Sequence, residues 1–321
     1  MNVHQAVTVA EAKIRPYILE TPIEYSPWLS QETGAEVWLK LEHLQRTGSF
    51  KLRGAANKLL SLAPEAAKNG IITASTGNHG AAVAYMAQKL NLPCQVFVSN
   101  EVAPTKAAAM EIYGAKLHYH GNDPIESELL ARKIAEEKNI PFVSPYNDPE
   151  IVAGQGTMGL EIDRQMSAMD AVFTPVGGGG LISGTAGYLK TARPAVQQIG
   201  CQPENSAVMY ESIKAGKVVD IPSMPTISDG TAGGMEHDSI TFGLCQRFVD
   251  DYIMVSEEEI RAAMLFLLEK HYYLVEGAAG LSIASLRKQA ADFRGKKVVL
   301  VLCGRKIGLD KLQKEVLKQA H

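Results

Sequence analysis

The sequence predicts an α/β protein with two open domains built on mostly parallel twisted sheets, and two observations support this prediction. Short runs of β-branched and aromatic residues alternate with amphipathic stretches along most of the chain, a pattern typical of parallel sheets with crossover helices. The chain has 321 residues and is 46% hydrophobic, which suits a large core shared between two domains.

Seven runs predict strands because they are short, rich in β-branched residues and bounded by turn-forming residues. They are 70–75, 94–99, 115–120, 170–176, 197–202, 251–256 and 296–304. Helical periodicity between the earlier strands predicts helices over 80–91, 104–114 and 124–139.

These elements fall into two series, which predicts two domains. Residues 70–147 hold three strands, each followed by a helix, and are expected to form a small, mobile domain. Residues 1–69 and 148–321 would together form a larger domain. The cleft between them is the expected binding site, because open α/β sheets bind ligands at the carboxyl ends of their strands.

Charge and cysteine content exclude several classes of function. The formal net charge is −3 and no basic stripe occurs, so neither nucleic acid nor an anionic membrane is an expected partner. The sequence shows neither a membrane-spanning apolar run nor the features of a secretory signal at its start. Four scattered cysteines, Cys94, Cys201, Cys245 and Cys303, predict neither a zinc site nor a disulfide framework, and they favour the reducing cytoplasm.

Four consecutive glycines follow one predicted strand and precede a helix expected to begin near Leu181; they are Gly177, Gly178, Gly179 and Gly180. Because glycine has no Cβ, successive backbone N–H groups there can point at one anion, and the helix dipole adds positive potential. The residues match neither the Walker loop nor the dinucleotide fingerprint. A single phosphate monoester is therefore the expected ligand, and a tight turn without a ligand is the alternative.

A second loop, ASTGNHGAAVAY at residues 74–85, joins another strand end to a helix of small residues. Ser75, Thr76 and Asn78 are residue types that cap helices, and capping alone is one explanation. Hydroxyls, an amide, an imidazole and free N–H groups at one strand end instead favour the binding of a carboxylate. The side chain of His79 is expected to be structural rather than catalytic.

Lys51 lies in the stretch TGSFKLRGA, directly after Phe50, where a helix is expected to begin. A lysine at a helix N-terminus, near other positive potential and partly desolvated by an aromatic ring, has a lowered pKa and a reactive amine. Together with a phosphate site and a carboxylate site, this amine favours pyridoxal 5'-phosphate as cofactor and an amino acid as substrate. A phosphate- or nucleotide-binding module without chemistry is the competing hypothesis.

Six motifs resemble those of a known family. In order and spacing, SFKLRGA, STGNHG, AGQGTMGLEI, PVGGGGLISG, EGAAG and LCG resemble the serine/threonine dehydratase and serine racemase family of fold-type II pyridoxal phosphate enzymes, from about Ile14 to Gly308. The segments SDGTAGG and LCGR are also similar to the hydroxyectoine-utilisation dehydratase branch. The lysine and asparagine motifs disfavour a β-replacement synthase of the same fold.

The resemblance implies how the cofactor would be held, in the cleft and mainly by the larger domain. Lys51 would carry it covalently on the side-chain amine, with Phe50 packed near the ring. Asn78 would bind the ring hydroxyl. The phosphate would be held by Gly177, Gly178, Gly179, Gly180 and the N–H of Leu181.

Other residues are expected around the substrate and the ring. The resemblance implies that the substrate carboxylate would be surrounded by Ser75, Thr76, Gly77 and His79. Cys303 would face the ring nitrogen as a weak, uncharged partner, so this nitrogen would stay unprotonated; an inert buried cysteine is the alternative. Glu276 is expected either to reach the ring or to make a hydrogen bond at the start of the next helix. Asp229 would help to position cofactor or substrate.

The family resemblance implies β-elimination, in which L-threonine, L-serine or a similar β-hydroxy amino acid yields a 2-oxo acid and ammonia, with Lys51 as the general base. Serine racemisation, with Thr76 as the second acid–base group, is an alternative, although the threonine methyl group adds bulk. A specialised substrate from hydroxyectoine degradation is another. A homodimer is expected. The divalent-cation site of many relatives is expected to be missing, because Gln202 and Val208 occupy positions where carboxylates would be expected.

Overall fold

The structure, a computed structural model, describes residues 1–122 and 124–319 and contains two β-sheets with helices packed around them. Its strands are β1 Ile23–Tyr25, β2 Glu36–Lys40, β3 Ile71–Ala74, β4 Cys94–Val98, β5 Lys116–Tyr119, β6 Ala171–Pro175, β7 Gln197–Pro203, β8 Asp251–Val255 and β9 Lys297–Val301. Its helices are α1 Val3–Ile14, α2 Pro27–Thr33, α3 Lys51–Ser61, α4 Pro64–Ala67, α5 Asn78–Lys89, α6 Pro104–Glu111, α7 Pro124–Glu137, α8 Pro149–Gln165, α9 Gly180–Ala192, α10 Val208–Ala215, α11 Ile240–Phe248, α12 Glu257–Phe266, α13 Gly277–Lys288 and α14 Leu309–Lys311.

Both sheets are dominated by parallel pairing. The larger sheet has the strand order β1-β2-β9-β6-β7-β8, and the smaller sheet has the order β3-β4-β5. Strands β1 and β2 pair antiparallel, and the other neighbours pair parallel. The predicted α/β class with mostly parallel sheets is confirmed. Parallel pairing brings the carboxyl ends of neighbouring strands to one edge, so the loops after β6 and β9 lie close together.

All seven predicted strands are present, most with ends shifted by one residue, and the three predicted helices correspond to α5, α6 and α7. Strand β9 ends earlier than predicted, at Val301, because the chain beyond it pairs with residues 48–50. Strands β1 and β2 were not predicted. The first has three residues, and the second begins and ends with charged residues whose pairing is set by the tertiary structure.

Helix α3 shares a buried core with the smaller sheet although it precedes that sheet in the chain. Its residues Leu52, Ala55 and Leu59 belong to the same buried cluster as Ile71 and Val96. The core of the smaller sheet therefore includes residues from outside 70–147. The division into two domains at the predicted bounds, and the mobility of the smaller one, stay predictions.

A buried ionic cluster fixes the position of α3 relative to β2 and α8. The guanidinium of Arg53 lies 2.7 Å from a carboxylate oxygen of Glu42 and 2.6 Å from one of Glu161. Lys40 Nζ lies 2.7 Å from Glu161, and all four side chains are fully buried. Buried charges of this kind are tolerated because they are paired.

In the part of the chain that is described, no helix is long and apolar enough to cross a membrane.

Candidate functional site

The segment that carries Lys51 is bound to the end of β9 in the middle of the larger sheet. The N–H of Phe50 donates to the carbonyl oxygen of Cys303 at 3.1 Å, and the N–H of Arg305 donates to that of Gly48 at 3.0 Å. Gly48 has a φ of +78°, a conformation that favours glycine in this turn. Helix α3 then begins at Lys51, so backbone hydrogen bonds to the sheet position the lysine.

The amine of Lys51 is half-buried and lies between a carbonyl group and an aromatic ring. Its Nζ donates to the carbonyl oxygen of Pro145 at 2.8 Å and lies 5.3 Å from the centre of the Phe50 ring. Burial lowers the pKa of Lys51 to about 8, while the negative charge of Glu276 acts in the opposite direction. The structure agrees with the predicted lowering, and of its two predicted causes the one that acts is desolvation.

The glycine loop joins β6 to α9 and packs tightly on one side. Gly179 has a φ of +82°, which only glycine adopts readily. A Cβ on Gly178 would lie 2.5 Å from Cγ of Tyr146, and the Thr241 hydroxyl donates to the Gly178 carbonyl at 2.6 Å. The loop is thus fixed from this side. The first N–H groups of α9 have no partner within the helix and are available to an anion.

The consecutive residues Pro145 and Tyr146 connect the lysine to the glycine loop. Pro145 accepts the hydrogen bond from Lys51, and the ring of Tyr146 covers Gly178. The Tyr146 hydroxyl accepts a hydrogen bond from the N–H of Glu236 at 2.8 Å, and burial raises the pKa of Tyr146, so this phenol stays neutral. The amine and the predicted phosphate site therefore lie on either side of one dipeptide, which no sequence motif had indicated.

The loop after β3 borders open space. Gly77 is the N-cap of α5 and no side chain caps this helix; the Ser75 hydroxyl instead accepts from the N–H of Gly77 at 3.2 Å. Ser75, Thr76 and Asn78 therefore do not serve as the helix cap. A Cβ on Gly77 would meet no atom within 4 Å, so this loop has room for a ligand.

The side chain of His79 is buried next to this loop. Its Nε2 lies 3.0 Å from the carbonyl oxygen of Val143, and its Nδ1 has no partner among the described residues. Burial and the charge of Lys51 lower the pKa of His79 to about 3, so the imidazole is neutral. These contacts agree with the structural role expected of the imidazole. The binding of a carboxylate near His79 stays a prediction.

Glu276 contacts the asparagine loop instead of capping its own helix. It precedes α13 without a side-chain cap. Its two carboxylate oxygens accept hydrogen bonds from Nδ2 of Asn78 at 2.7 and 2.9 Å, and one also accepts from the N–H of Lys306 at 3.0 Å. Burial raises the pKa of Glu276 to about 7, and the hydrogen bond from Asn78 opposes this shift. Of the two alternatives for Glu276, a side-chain hydrogen bond at the start of the next helix is wrong, and contact with the cofactor ring stays a prediction.

Cys303 is buried two residues beyond β9. Burial raises the pKa of Cys303 well above its usual range, and Glu276 acts in the same direction. The thiol is therefore neutral near physiological pH. This state agrees with a weak partner for a ring nitrogen and equally with an inert buried residue, so both alternatives stay open.

Gln155 lies at the site, although the sequence predicted no role for it beyond its place in the motif AGQGTMGLEI. It is fully buried, and neither atom of its amide has a hydrogen-bond partner in the described part of the chain. A Cβ on Gly180 would lie 2.7 Å from its Oε1, and one on Gly54 would lie 3.1 Å from its Nε2. With the equally unpartnered Oδ1 of Asn78, it leaves hydrogen-bonding capacity unused beside the lysine and the glycine loop. Buried polar groups without a partner suit a site that binds a polar ligand, and these residues fit pyridoxal phosphate.

Two further charged residues lie near the site. Burial lowers the pKa of Lys306 to about 8, with Arg305 and Lys106 acting in the same direction and Glu276 against them. Asp229 forms an ion pair of 2.7 Å with Lys106 and its side chain is 42% exposed, so this pair lies at the rim of the protein. A positioning role for Asp229 stays a prediction.

Within residues 1–122 and 124–319, no group of three or more His, Cys, Asp or Glu side chains could hold a metal ion. Gln202 is buried and accepts a hydrogen bond from the N–H of Tyr210 at 2.9 Å, and Val208 is buried at the start of α10. The prediction that the cation site implied by the family resemblance is missing stays a prediction, because dependence on a cation is a property of the protein in solution.

Comparison with known proteins finds relatives along nearly the whole chain. Residues 14–304 match the family described as "Pyridoxal-phosphate dependent enzyme". The L-threonine ammonia-lyase of Thermotoga maritima is 38% identical over 309 residues, which cover 96% of this chain and 77% of that protein. The processed threonine deaminase isoform 2 of Solanum lycopersicum has a TM-score of 0.93 at 31% identity, covering 99% of this chain and 93% of that one. Maize serine racemase has a TM-score of 0.91 at 28% identity, covering 98% and 97%.

Proposed function

Because the chain belongs to the pyridoxal-phosphate dependent enzyme family, we propose that it is an ammonia-lyase that converts a β-hydroxy amino acid, such as L-threonine or L-serine, to a 2-oxo acid and ammonia. The observation that carries this proposal is the environment of Lys51. Its amine has a lowered pKa and is held by Pro145 next to the glycine loop. Relatives named as threonine ammonia-lyases and threonine deaminases support the choice of reaction.

The residues of the cleft would hold the cofactor at four points. The amine of Lys51 would bind its aldehyde carbon, with Phe50 next to the ring. Asn78 would bind the ring hydroxyl, and the neutral thiol of Cys303 would face the ring nitrogen. The phosphate would be bound by the N–H groups of Gly177, Gly178, Gly179, Gly180 and Leu181. Once bound, the cofactor would acidify the Cα–H bond of an amino acid by withdrawing electrons from it.

The chain itself would supply the proton transfer and the orientation of the substrate. With a pKa of about 8, the Nζ of Lys51 can accept the Cα proton as general base near neutral pH, and the β-hydroxyl group would then leave with a proton as water. The loop at Ser75, Thr76, Gly77 and His79 would hold the substrate carboxylate, because it combines a helix N-terminus with open space. Pro145 would fix the position of the amine before the cofactor binds.

Release of 2-oxo acid from a panel of amino acids tests this proposal. The panel contains L-threonine, L-serine, bulkier 3-hydroxy amino acids and amino acids derived from hydroxyectoine, and L-alanine serves as a substrate without a leaving group. We expect turnover of L-threonine or L-serine and none of L-alanine. An absence of keto acid with every hydroxy amino acid would reject the lyase assignment. A preference for a hydroxyectoine-derived substrate would favour that specialised branch.

Racemisation of serine is a second candidate, favoured by Thr76. This residue is half-buried in the loop that borders open space, where its hydroxyl could exchange a proton on the face opposite Lys51. Chiral analysis of L-serine incubated with the protein separates the two reactions. D-serine formed as fast as keto acid would make racemisation the main activity. A loss of D-serine alone in Thr76→Ala would assign the second acid–base group.

A cytoplasmic homodimer without a divalent cation completes the proposal. The four cysteines are buried and free, as suits a reducing compartment. Large apolar side chains such as Trp28 and Tyr272 are 49% and 86% exposed, as is common at oligomer interfaces. Light scattering at several concentrations and cell fractionation test the first two statements. Unchanged activity after treatment with a chelator is expected for the third.

A further inference from the structure

The contact between Asn78 and Glu276 fixes the direction of an amide. Both short contacts use Nδ2 of Asn78, at 2.7 and 2.9 Å from the two carboxylate oxygens, while Oδ1 is buried without a partner among the described residues. An ionised carboxylate accepts hydrogen bonds and donates none. When Glu276 is ionised, the end of the amide that faces it is therefore the nitrogen, and the opposite orientation would place two acceptors against each other.

Glu276 is itself held by the backbone that follows β9. One of its carboxylate oxygens accepts from the N–H of Lys306 at 3.0 Å, and its own N–H donates to the carbonyl oxygen of Gly304 at 3.2 Å. The charges that face it are Lys51, Lys106 and Lys306, which favour the ionised form, and Asp229, which opposes it. The charge of Glu276 also acts on the Cys303 thiol and raises the pKa of Cys303. A residue next to the larger sheet thus fixes the amide of a residue on α5.

We propose that Glu276 is a positioning residue for the cofactor, which holds Asn78 so that one N–H of Nδ2 remains directed to the cofactor's ring oxygen. This inference rests on the proposed function, in which Asn78 binds that oxygen. An amide has two N–H groups, of which Glu276 occupies one side. A donor at the ring oxygen stabilises its ionised form, and an acceptor there would require it to carry a proton. Glu276 would thus act through Asn78 and without contact to the substrate.

The absorbance of the holoprotein tests this assignment without an activity assay. The bound cofactor absorbs violet light when its ring oxygen is ionised and near-ultraviolet light when that oxygen is protonated. Glu276→Gln introduces an amide that can donate to Oδ1 of Asn78, so both orientations of Asn78 become possible. We expect the ratio of violet to near-ultraviolet absorbance to fall about tenfold, as when a hydrogen bond to a charged oxygen is lost.

Two other variants separate orientation from simple packing. Glu276→Asp keeps a group that only accepts, and we expect it to retain most of the violet band. Glu36→Gln changes a glutamate at the start of β2, which is the end of the sheet opposite Cys303, and should leave the spectrum unchanged. Equal spectral loss in Glu276→Asp and Glu276→Gln would overturn the proposal, because packing rather than acceptor character would then be responsible.

The route through Asn78 is tested in an Asn78→Ala background. There, adding Glu276→Gln should produce no further change in the spectrum, since the amide that it reorients is gone. A further change of similar size would show that Glu276 acts directly on the ring and would overturn the positioning role.

A pH titration of the unmodified holoprotein provides a readout that does not depend on the folding of any variant. We expect the violet fraction to fall as the pH drops through about 7, where Glu276 gains a proton and can donate to Oδ1. A violet fraction that does not change there, or that changes equally in Asn78→Ala, contradicts the inference.

Cofactor content, measured after alkaline release, distinguishes the two proposals. Wild-type protein that binds no pyridoxal phosphate rejects the proposed function. If the wild type and Glu276→Gln have equal cofactor content and equal spectra, only the role of Glu276 is rejected.

Discussion

Lys51 and Arg53 lie two residues apart at the start of α3, yet they occupy opposite electrostatic environments. Arg53 is fully buried and paired with Glu42 and Glu161; burial alone would lower the pKa of Arg53, but these carboxylates raise it. Lys51 donates to the carbonyl oxygen of Pro145 instead of a carboxylate, and burial lowers the pKa of Lys51 to about 8. One cation is kept charged, and the other is brought close to neutrality.

Helix geometry makes this separation possible, because residues two apart point about 200° away from each other around the axis. One side of the first turn therefore meets the buried carboxylates, and the other side meets the carbonyl group of Pro145. A charge with partners contributes a fixed position, and a lysine without a carboxylate partner contributes a reactive amine. We therefore expect helix α3 to carry both an anchor, Arg53, and a reactive group, Lys51.

The largest effect is expected when the reactive member of this pair is removed. Lys51→Ala should lower the rate of 2-oxo acid release by roughly 10⁴-fold or more, the upper range for loss of a general base. Lys306→Ala is the matched control, because the pKa of Lys306 is also lowered to about 8, and it should keep most of the activity. Retained activity in Lys51→Ala together with lost activity in Lys306→Ala would contradict the assignment of Lys51 as the general base.

Removal of the anchor, Arg53, should lower the stability of the protein. Arg53→Met leaves Glu42 and Glu161 buried without their main partner, and we expect it to lower the free energy of unfolding by about 3–5 kcal/mol. Urea denaturation of the apoprotein measures this loss, with Lys51→Met as the comparison. Lys51→Met should be neutral or stabilising, since it removes a charge that is desolvated. A loss of less than about 1 kcal/mol in Arg53→Met would contradict the role of the anchor.

The pH dependence of stability should distinguish wild-type apoprotein from Lys51→Met. The pKa of Lys51 is about 8 in the folded chain and near 10.4 when unfolded, so between these values the unfolded state binds a proton that the folded state has lost. Stability then rises with pH in this window. We therefore expect the melting temperature of the wild type to increase relative to that of Lys51→Met between pH 8 and about pH 10. A difference that is constant across this range would contradict the lowered pKa.

The smallest effect on stability is expected for the exposed ion pair between Lys106 and Asp229. Lys106→Ala removes the ion pair with the 42% exposed Asp229, and exposed pairs contribute about 0.2–1 kcal/mol. Urea denaturation should show a loss within this range, further reduced at high salt. A loss as large as that of Arg53→Met would mean that burial does not decide the strength of ion pairs in this protein.

Parts of the site that lie in contiguous residues could be predicted from the sequence. The glycine loop follows the predicted strand β6, the asparagine loop follows β3, and Lys51 lies in a motif whose aromatic neighbour is visible in the chain. In each case local residue types determine which backbone or side-chain groups are available. The α/β class was equally predictable, because the alternation of strands and helices is a local pattern.

Contacts between distant segments could not be predicted in this way. Asn78 and Glu276 are 198 positions apart, and Arg53 and Glu161 are 108 apart, so their pairing depends on how the two sheets pack. Strand β2 escaped prediction for the same reason, because it ends in the buried Lys40, whose charge is compensated by the distant Glu161. Tertiary electrostatics, rather than local preference, determined these features.

Chemical trapping tests the central claim most directly. The protein is loaded with pyridoxal phosphate, reduced with borohydride, digested, and analysed by mass spectrometry of its peptides. We predict one label per chain, on Lys51, with Lys306 unlabelled although the pKa of its amine is similarly lowered. A label on Lys306 or another lysine, or none at all, would contradict the assignment of Lys51 as the residue that holds the cofactor.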